Sequence, residues 1–178
     1  MSPAKEAMQQ LIATDSYHLP VLVILVLMSI GLAIKSGLYP FHSWMPDAYG
    51  FSTASASAIL SGLVSKAYII LLIKIFYRVV GIDFIVTSEM MNVLFVFGLV
   101  GMIMGSVSAI LEKDIRRMIA FSSVAQIGYI YMGIGLGIEQ GYVAAVYHIL
   151  HHAATKALLF ISVVGLSNVS GGSKQFPD

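Results

Sequence analysis

The sequence predicts an all-α fold, a polytopic membrane bundle of about five spanning helices whose first helix is broken near Gly37–Pro40. Three observations predict it. Of 178 residues, 58% are hydrophobic and only 11% charged, where soluble domains carry roughly 25% charged residues. Mean hydropathy is +0.87. So few ionisable groups cannot cover a water-facing surface, which excludes a soluble monomer. Second, the chain holds five apolar runs of the length that a helix needs to cross a hydrocarbon core, about 20 residues. Third, stretches such as 94–104 are apolar on every face. Strands of a membrane barrel alternate apolar and polar residues instead. Ten Lys+Arg against nine Asp+Glu leave a net charge of +1, and there is no cysteine. Nucleic-acid binding by a basic surface, an acidic tail, disulfides, iron–sulfur ligation and thiol chemistry are thereby excluded.

Taken in order, residues 1–18 read as an N-terminal extramembrane segment with Lys5, Glu6 and Asp15. It lacks the apolar run and small-residue cleavage site of a secretory signal. The spans follow at 19–39, 53–73, 90–111, 118–138 and 142–166, inside a transmembrane domain 19–168, with a tail at 169–178. Gly101 and Gly105, then Gly128, Gly133 and Gly137, suit close helix packing. The loop 112–117 carries Lys113, Arg116 and Arg117, and the tail carries Lys174; the other side has Lys5 and Arg78. Four basic residues against two place the arginine side in the cytoplasm, with the N-terminus outside.

The charges within the spans carry the functional signal, because a lysine at mid-membrane costs about 2.5–3.5 kcal/mol to insert. Lys35 precedes Ser36-Gly37-Leu38-Tyr39-Pro40. Gly37 relaxes the backbone and Pro40 cannot donate a hydrogen bond, so the helix is expected to break just beyond Lys35. The negative end of the half-helix would then face a lysine in the protein interior, a device of transporters. Equally open at this point is that Lys35 snorkels to the interface as the helix ends. Lys66 sits midway along its run with Ser57, Ser61 and Ser65 nearby and no acid in the span. Its stem reaches the interface poorly, which makes it a candidate to bind and release protons within the membrane. Lys74 and Arg78 read as interface anchors.

The last span holds His148, His151, His152 and Lys156. Positions 148, 152 and 156 lie at i, i+4 and i+8 and form one stripe. Imidazole passes protons between its ring nitrogens, so the stripe is a candidate proton path. A metal site is the competing reading, but no acid or cysteine in the span completes one. His151 points off the stripe. Ser122, Ser123 and Gln126 add groups that bind water in an otherwise apolar span.

At this point three blocks carry a family resemblance. Lys35-Ser-Gly-Leu-Tyr-Pro-Phe-His-Ser-Trp-Met-Pro-Asp-Ala-Tyr49 resembles a signature of the antiporter-like membrane subunits. These are the proton-conducting subunits of Mrp-type sodium/proton antiporters, respiratory complex I and membrane-bound hydrogenases. Glu112-Lys-Asp-Ile-Arg-Arg-Met-Ile-Ala-Phe-Ser-Ser-Val-Ala-Gln-Ile-Gly-Tyr129 is similar to a second block, and His148-x-x-x-His152-x-x-x-Lys156-Ala-Leu-Leu-Phe160 to a third. The resemblance implies proton translocation through Lys35 as a half-channel switch, Lys66 at mid-plane, and His148, His152 and Lys156 beyond it. It implies Ser122 and Gln126 as supporting polar groups, no bound cofactor, and assembly with other membrane subunits. The expected location is a prokaryotic inner or plasma membrane, with protons and sodium as the transported ions of an Mrp-type antiporter. The alternative expectation is the proton-pumping arm of complex I or of a membrane-bound hydrogenase.

One departure follows. The family pairs the switch lysine with a glutamate on an earlier helix, and a second broken helix would come after Asp178. The chain is therefore expected to be partial, or completed by another polypeptide, and incompetent for transport alone.

Overall fold

A computed structural model describes residues 3–13 and 15–169. The helices are α1 (Pro3–Ala13), α2 (Asp15–Ser36), α3 (Trp44–Phe51), α4 (Ala54–Val80), α5 (Ile82–Thr87), α6 (Met90–Leu111), α7 (Ile115–Gly135) and α8 (Glu139–Val169). No strand occurs among the described residues. Five helices are long and apolar enough to cross a membrane, at Tyr17–Ser36 and in α4, α6, α7 and α8.

The spans sit where the apolar runs predict them, with shifted ends. The second runs on to Val80, because Lys74 and Arg78 stand exposed on a helix whose other face stays apolar. It stops at Gly81, whose φ of 101° no other residue type adopts easily. The last span reaches Val169, and Arg116 and Arg117, expected in a loop, form the first turn of α7. The tail beyond residue 169, with Lys174, lies outside the described residues.

The predicted break is present. Helix α2 ends at Ser36 with Gly37 at φ 82°. The amide of Leu38 reaches back to the Ala33 carbonyl (3.0 Å) and that of Gly37 to Ile34 (3.2 Å), the paired bonds that close a helix on a left-handed glycine. The Ile34 carbonyl also accepts from the Trp44 indole at 2.9 Å. After a turn through Pro40, α3 resumes the helical path.

Helix α7 is the centre of the bundle, with 67% of its spanning window buried against 22–44% for the other four. It pairs along its length with α6, and glycines make this possible. A Cβ added at Gly105 would stand 2.5 Å from the Ala125 nitrogen, and one at Gly128 2.5 Å from the Met102 nitrogen. Only glycine lets the two backbones approach so closely. Helix α4 packs on α8 and contains two widened turns, Leu60–Val64 and Ile75–Val80, in which amides reach five residues back: Ser65 to Leu60 and Gly81 to Phe76. Widened turns of this kind recur at functional sites.

Candidate functional site

Lysines from two helices are buried in the bundle, within electrostatic reach of one another. Lys66 on α4 is 2% exposed and Lys156 on α8 is 3% exposed. The Lys66 ammonium donates to the Ser61 carbonyl, which belongs to the widened turn of α4. The Lys156 ammonium donates to the Ile119 carbonyl of α7 at 3.1 Å and to the Ser122 hydroxyl. The two sites are joined by hydroxyls. Ser61 Oγ lies 3.3 Å from Ser123 Oγ, and Ser123 Oγ donates to the Ile119 carbonyl at 2.9 Å. Both serines are fully buried. No ion pair to Lys66 or Lys156 occurs among the described residues, so neutral oxygens satisfy both ammonium groups.

His152 is 2% exposed, and among the described residues neither ring nitrogen has a hydrogen-bond partner. It lies within electrostatic reach of both Lys66 and Lys156. Its ring stacks on that of His148, centroids 6.1 Å apart and planes 19° from parallel. His148 is half-buried against the Tyr129 ring, and its Nε2 also lacks a hydrogen-bond partner among the described residues. A buried imidazole without a partner is rare, since such groups normally find one. His151 is exposed, as its place off the stripe predicts, although its ring stays 6.2 Å from that of His148.

One expected placement needs correction. Lys35 was expected in the interior, and on the described chain it is exposed. Helix α2 buries one stripe, Val21, Leu25, Ser29, Ala33 and Ser36, and Lys35 falls on the open face beside it. Gln126, expected as a supporting group, is half-buried and makes no hydrogen bond among the described residues; Ser122 does support Lys156.

Several residues gain a role that sequence reasoning did not assign. Tyr49 of α3 is fully buried, and its hydroxyl meets Ser65 Oγ at 2.9 Å, next in sequence to Lys66. Ser57 donates to the Tyr49 carbonyl at 2.8 Å. Tyr131 pairs with Ser36 at the break, also at 2.9 Å. The spacing of Ser57, Ser61 and Ser65, one turn apart on a single face, was the legible signal. Their partners on α3 and α7 were not legible.

Arginines in the first turn of α7 hold α3 in place. Arg116, 8% exposed, donates to the carbonyls of Gly50 (3.2 Å) and Ser52 (2.9 Å) at the end of α3. Arg117 bridges Asp47 of α3 (2.6 Å) and Glu112 (3.0 Å). Asp114 caps α7 by accepting from the amides of Arg116 and Arg117. Burial alone would raise the Glu112 carboxyl, but the Arg117 hydrogen bond and the amides of Asp114 and Lys113 outweigh it and hold the group below its usual range.

This geometry can be set beside known proteins. Residues 6–177 match the family model described as NADH:quinone oxidoreductase/Mrp antiporter, TM. NADH-quinone oxidoreductase subunit N of Desulforudis audaxviator (strain MP104C) is 37% identical over 151 residues, 85% of this chain and 30% of that protein. NAD(P)H-quinone oxidoreductase subunit 5 of Nuphar advena chloroplasts is 34% identical over 135 residues, 76% of this chain and 17% of that protein. Among solved structures, the Mrp complex from Dietzia sp. DQ12-45-1b contains a chain 32% identical, with a TM-score of 0.80 over 93% of this chain and 29% of its own. The chain thus spans less than a third of the length of these relatives. The family match over nearly the whole chain and the five helices long and apolar enough to cross a membrane agree: the chain is a multi-pass membrane protein and belongs to the NADH:quinone oxidoreductase/Mrp antiporter transmembrane family.

Proposed function

We propose that this chain carries protons laterally, between Lys66 and Lys156, inside the ion-translocating subunit of a multisubunit membrane complex. The observation that carries this reading is the lysine pair itself. Two amines stand buried near mid-membrane, bridged by Ser61 and Ser123 and satisfied only by neutral oxygens. An amine in such surroundings can exist with or without its proton, which a relay requires. His152 and His148 would extend the path along α8. Lys35, on an open face beside the helix break, would meet a group from another helix and act as the switch.

The coupling partner we propose first is sodium/proton exchange of the Mrp type, supported by a structural likeness that covers 93% of the chain. The 37% identity to a quinone oxidoreductase subunit favours the second reading, a proton-pumping arm driven by redox chemistry elsewhere in the complex. Neither reading places a redox cofactor on this chain.

The test is ion-coupled proton flux in vesicles carrying the complete complex. Lys66→Ala should assemble and lose flux. Lys66→Arg should lose it too, because a guanidinium stays protonated across the working pH range. Lys74→Ala, on the exposed face, should be nearly silent. Wild-type flux in assembled Lys66→Arg would show that positive charge suffices and would end the relay reading. Flux driven by a sodium gradient, against flux driven by quinone reduction, separates the two couplings.

A further inference from the structure

The Ile119 carbonyl is claimed by more donors than it can serve. Lys156 Nζ approaches it at 3.1 Å, Ser122 Oγ at 2.9 Å and Ser123 Oγ at 2.9 Å. Lying inside α7, it also faces the amide of residue 123 in the ordinary helical pattern. A carbonyl oxygen has two lone pairs, so the three side-chain donors compete. Ser123 is the donor with an alternative. Its single hydrogen can go to the Ile119 carbonyl or to Ser61 Oγ, 3.3 Å away, but not to both. The 3.3 Å separation is longer than a well-made hydroxyl bond, as suits a contact made fully in only one of two states.

We infer that the Ile119 carbonyl and the Ser123–Ser61 hydroxyl pair form a positioning switch that reports the charge of Lys156 to Lys66. With Lys156 protonated, its ammonium holds the Ile119 carbonyl, and the Ser123 hydroxyl turns to donate to Ser61 Oγ. With Lys156 neutral, its amine is a much weaker donor to that carbonyl, Ser123 donates there in preference, and Ser61 donates to Ser123. The Ser61 dipole reverses between the two states. Because Lys66 is anchored on the carbonyl of that same Ser61, the reversal acts on its ammonium. Burial makes the effect strong, since both hydroxyls are fully excluded from solvent and water cannot screen them. The serines move no proton themselves, because the carbonyls at each end of the chain cannot pass one on. They couple two sites that hold protons.

The inference rests on the relay reading, and its test keeps the two apart. The charged and titratable groups facing the switch are Lys66 of α4, His148, His152 and Lys156 of α8, Tyr49 of α3 through Ser65, and Arg116 one turn away on α7. Proton flux of the complete, assembled complex would be measured against pH for the native protein, Ser61→Ala, Ser123→Ala and the double variant, with Lys66→Ala alongside. Each serine change removes one oxygen and the same bridge, from opposite helices. Both single variants should move the pH of half-maximal flux by the same amount and in the same direction, and the double variant should move it no further. Shifts that add in the double variant, or profiles that stay at the native pH in assembled complexes, overturn the switch and leave the relay standing. Native flux in Lys66→Ala overturns the relay and the switch with it.

Discussion

Replacing Arg116 by methionine tests how the broken first span is held together. The native guanidinium donates from Nη1 to the Gly50 and Ser52 carbonyls, where α3 ends and the chain turns into extended backbone at Ser52. Methionine keeps the apolar stem and removes the donors. A hydrogen bond from a charged group contributes about 1.5–3 kcal/mol. One nitrogen serves both carbonyls here, so a total loss of about 3 kcal/mol is the reasonable figure. Each 1.4 kcal/mol is about tenfold in an equilibrium, so local opening of α3 should become roughly 100-fold more frequent. The Arg117–Asp47 ion pair and the Ser57–Tyr49 bond remain and keep the closed form dominant. Amide hydrogen exchange reads this directly. Peptides covering 44–53 should exchange roughly 100-fold faster, while those from the α6–α7 hairpin stay at native rates. Unchanged protection at 44–53 would refute the capping argument, and loss of protection throughout the protein would refute its locality. Tyr49 ties α3 to Ser65 beside Lys66, so proton flux should fall as α3 opens.

Three further outcomes follow from the packing and the charges. Gly128→Ala puts a methyl 2.5 Å from the Met102 nitrogen and 2.6 Å from the Gly98 oxygen, both backbone, so α6 must move away. The expected cost is about 1–3 kcal/mol, seen as a lower thermal midpoint, whereas Gly31→Ala, with open space at its Cβ, should leave the midpoint unchanged. Glu112 is held below its ordinary carboxyl value of 4.5, so its contribution is complete above that pH and is lost as pH falls through the lowered value. Protection in 112–117, taken relative to the intrinsic exchange rate at each pH, should fall with acid over that window in the native protein, and Glu112→Gln should flatten the response. Lys35→Gln, on an exposed face, should leave the thermal midpoint of this chain alone yet lower flux in the complete complex; native flux would remove its switch role.

The fold class, the spans and the break were legible in the sequence because each follows from local chemistry. A run apolar on every face satisfies its backbone in a hydrocarbon core as a helix, and Gly37 followed three residues later by Pro40 favours a helix end. The candidate lysines were legible for the same reason, since a charge at mid-membrane stands out against its neighbours. Partnership was not legible. Only the packing of α4, α7 and α8 decided that Lys66 rests on a carbonyl of a widened turn, that Lys156 reaches across to Ile119, and that Ser61 meets Ser123 between them. Facing was equally undetermined for Lys35, because helix α2 is apolar all round and its periodicity does not say which stripe is buried. Residue type and spacing are properties of the chain, whereas a hydrogen bond between residues 62 positions apart exists only once the glycine-lined helices have closed on one another.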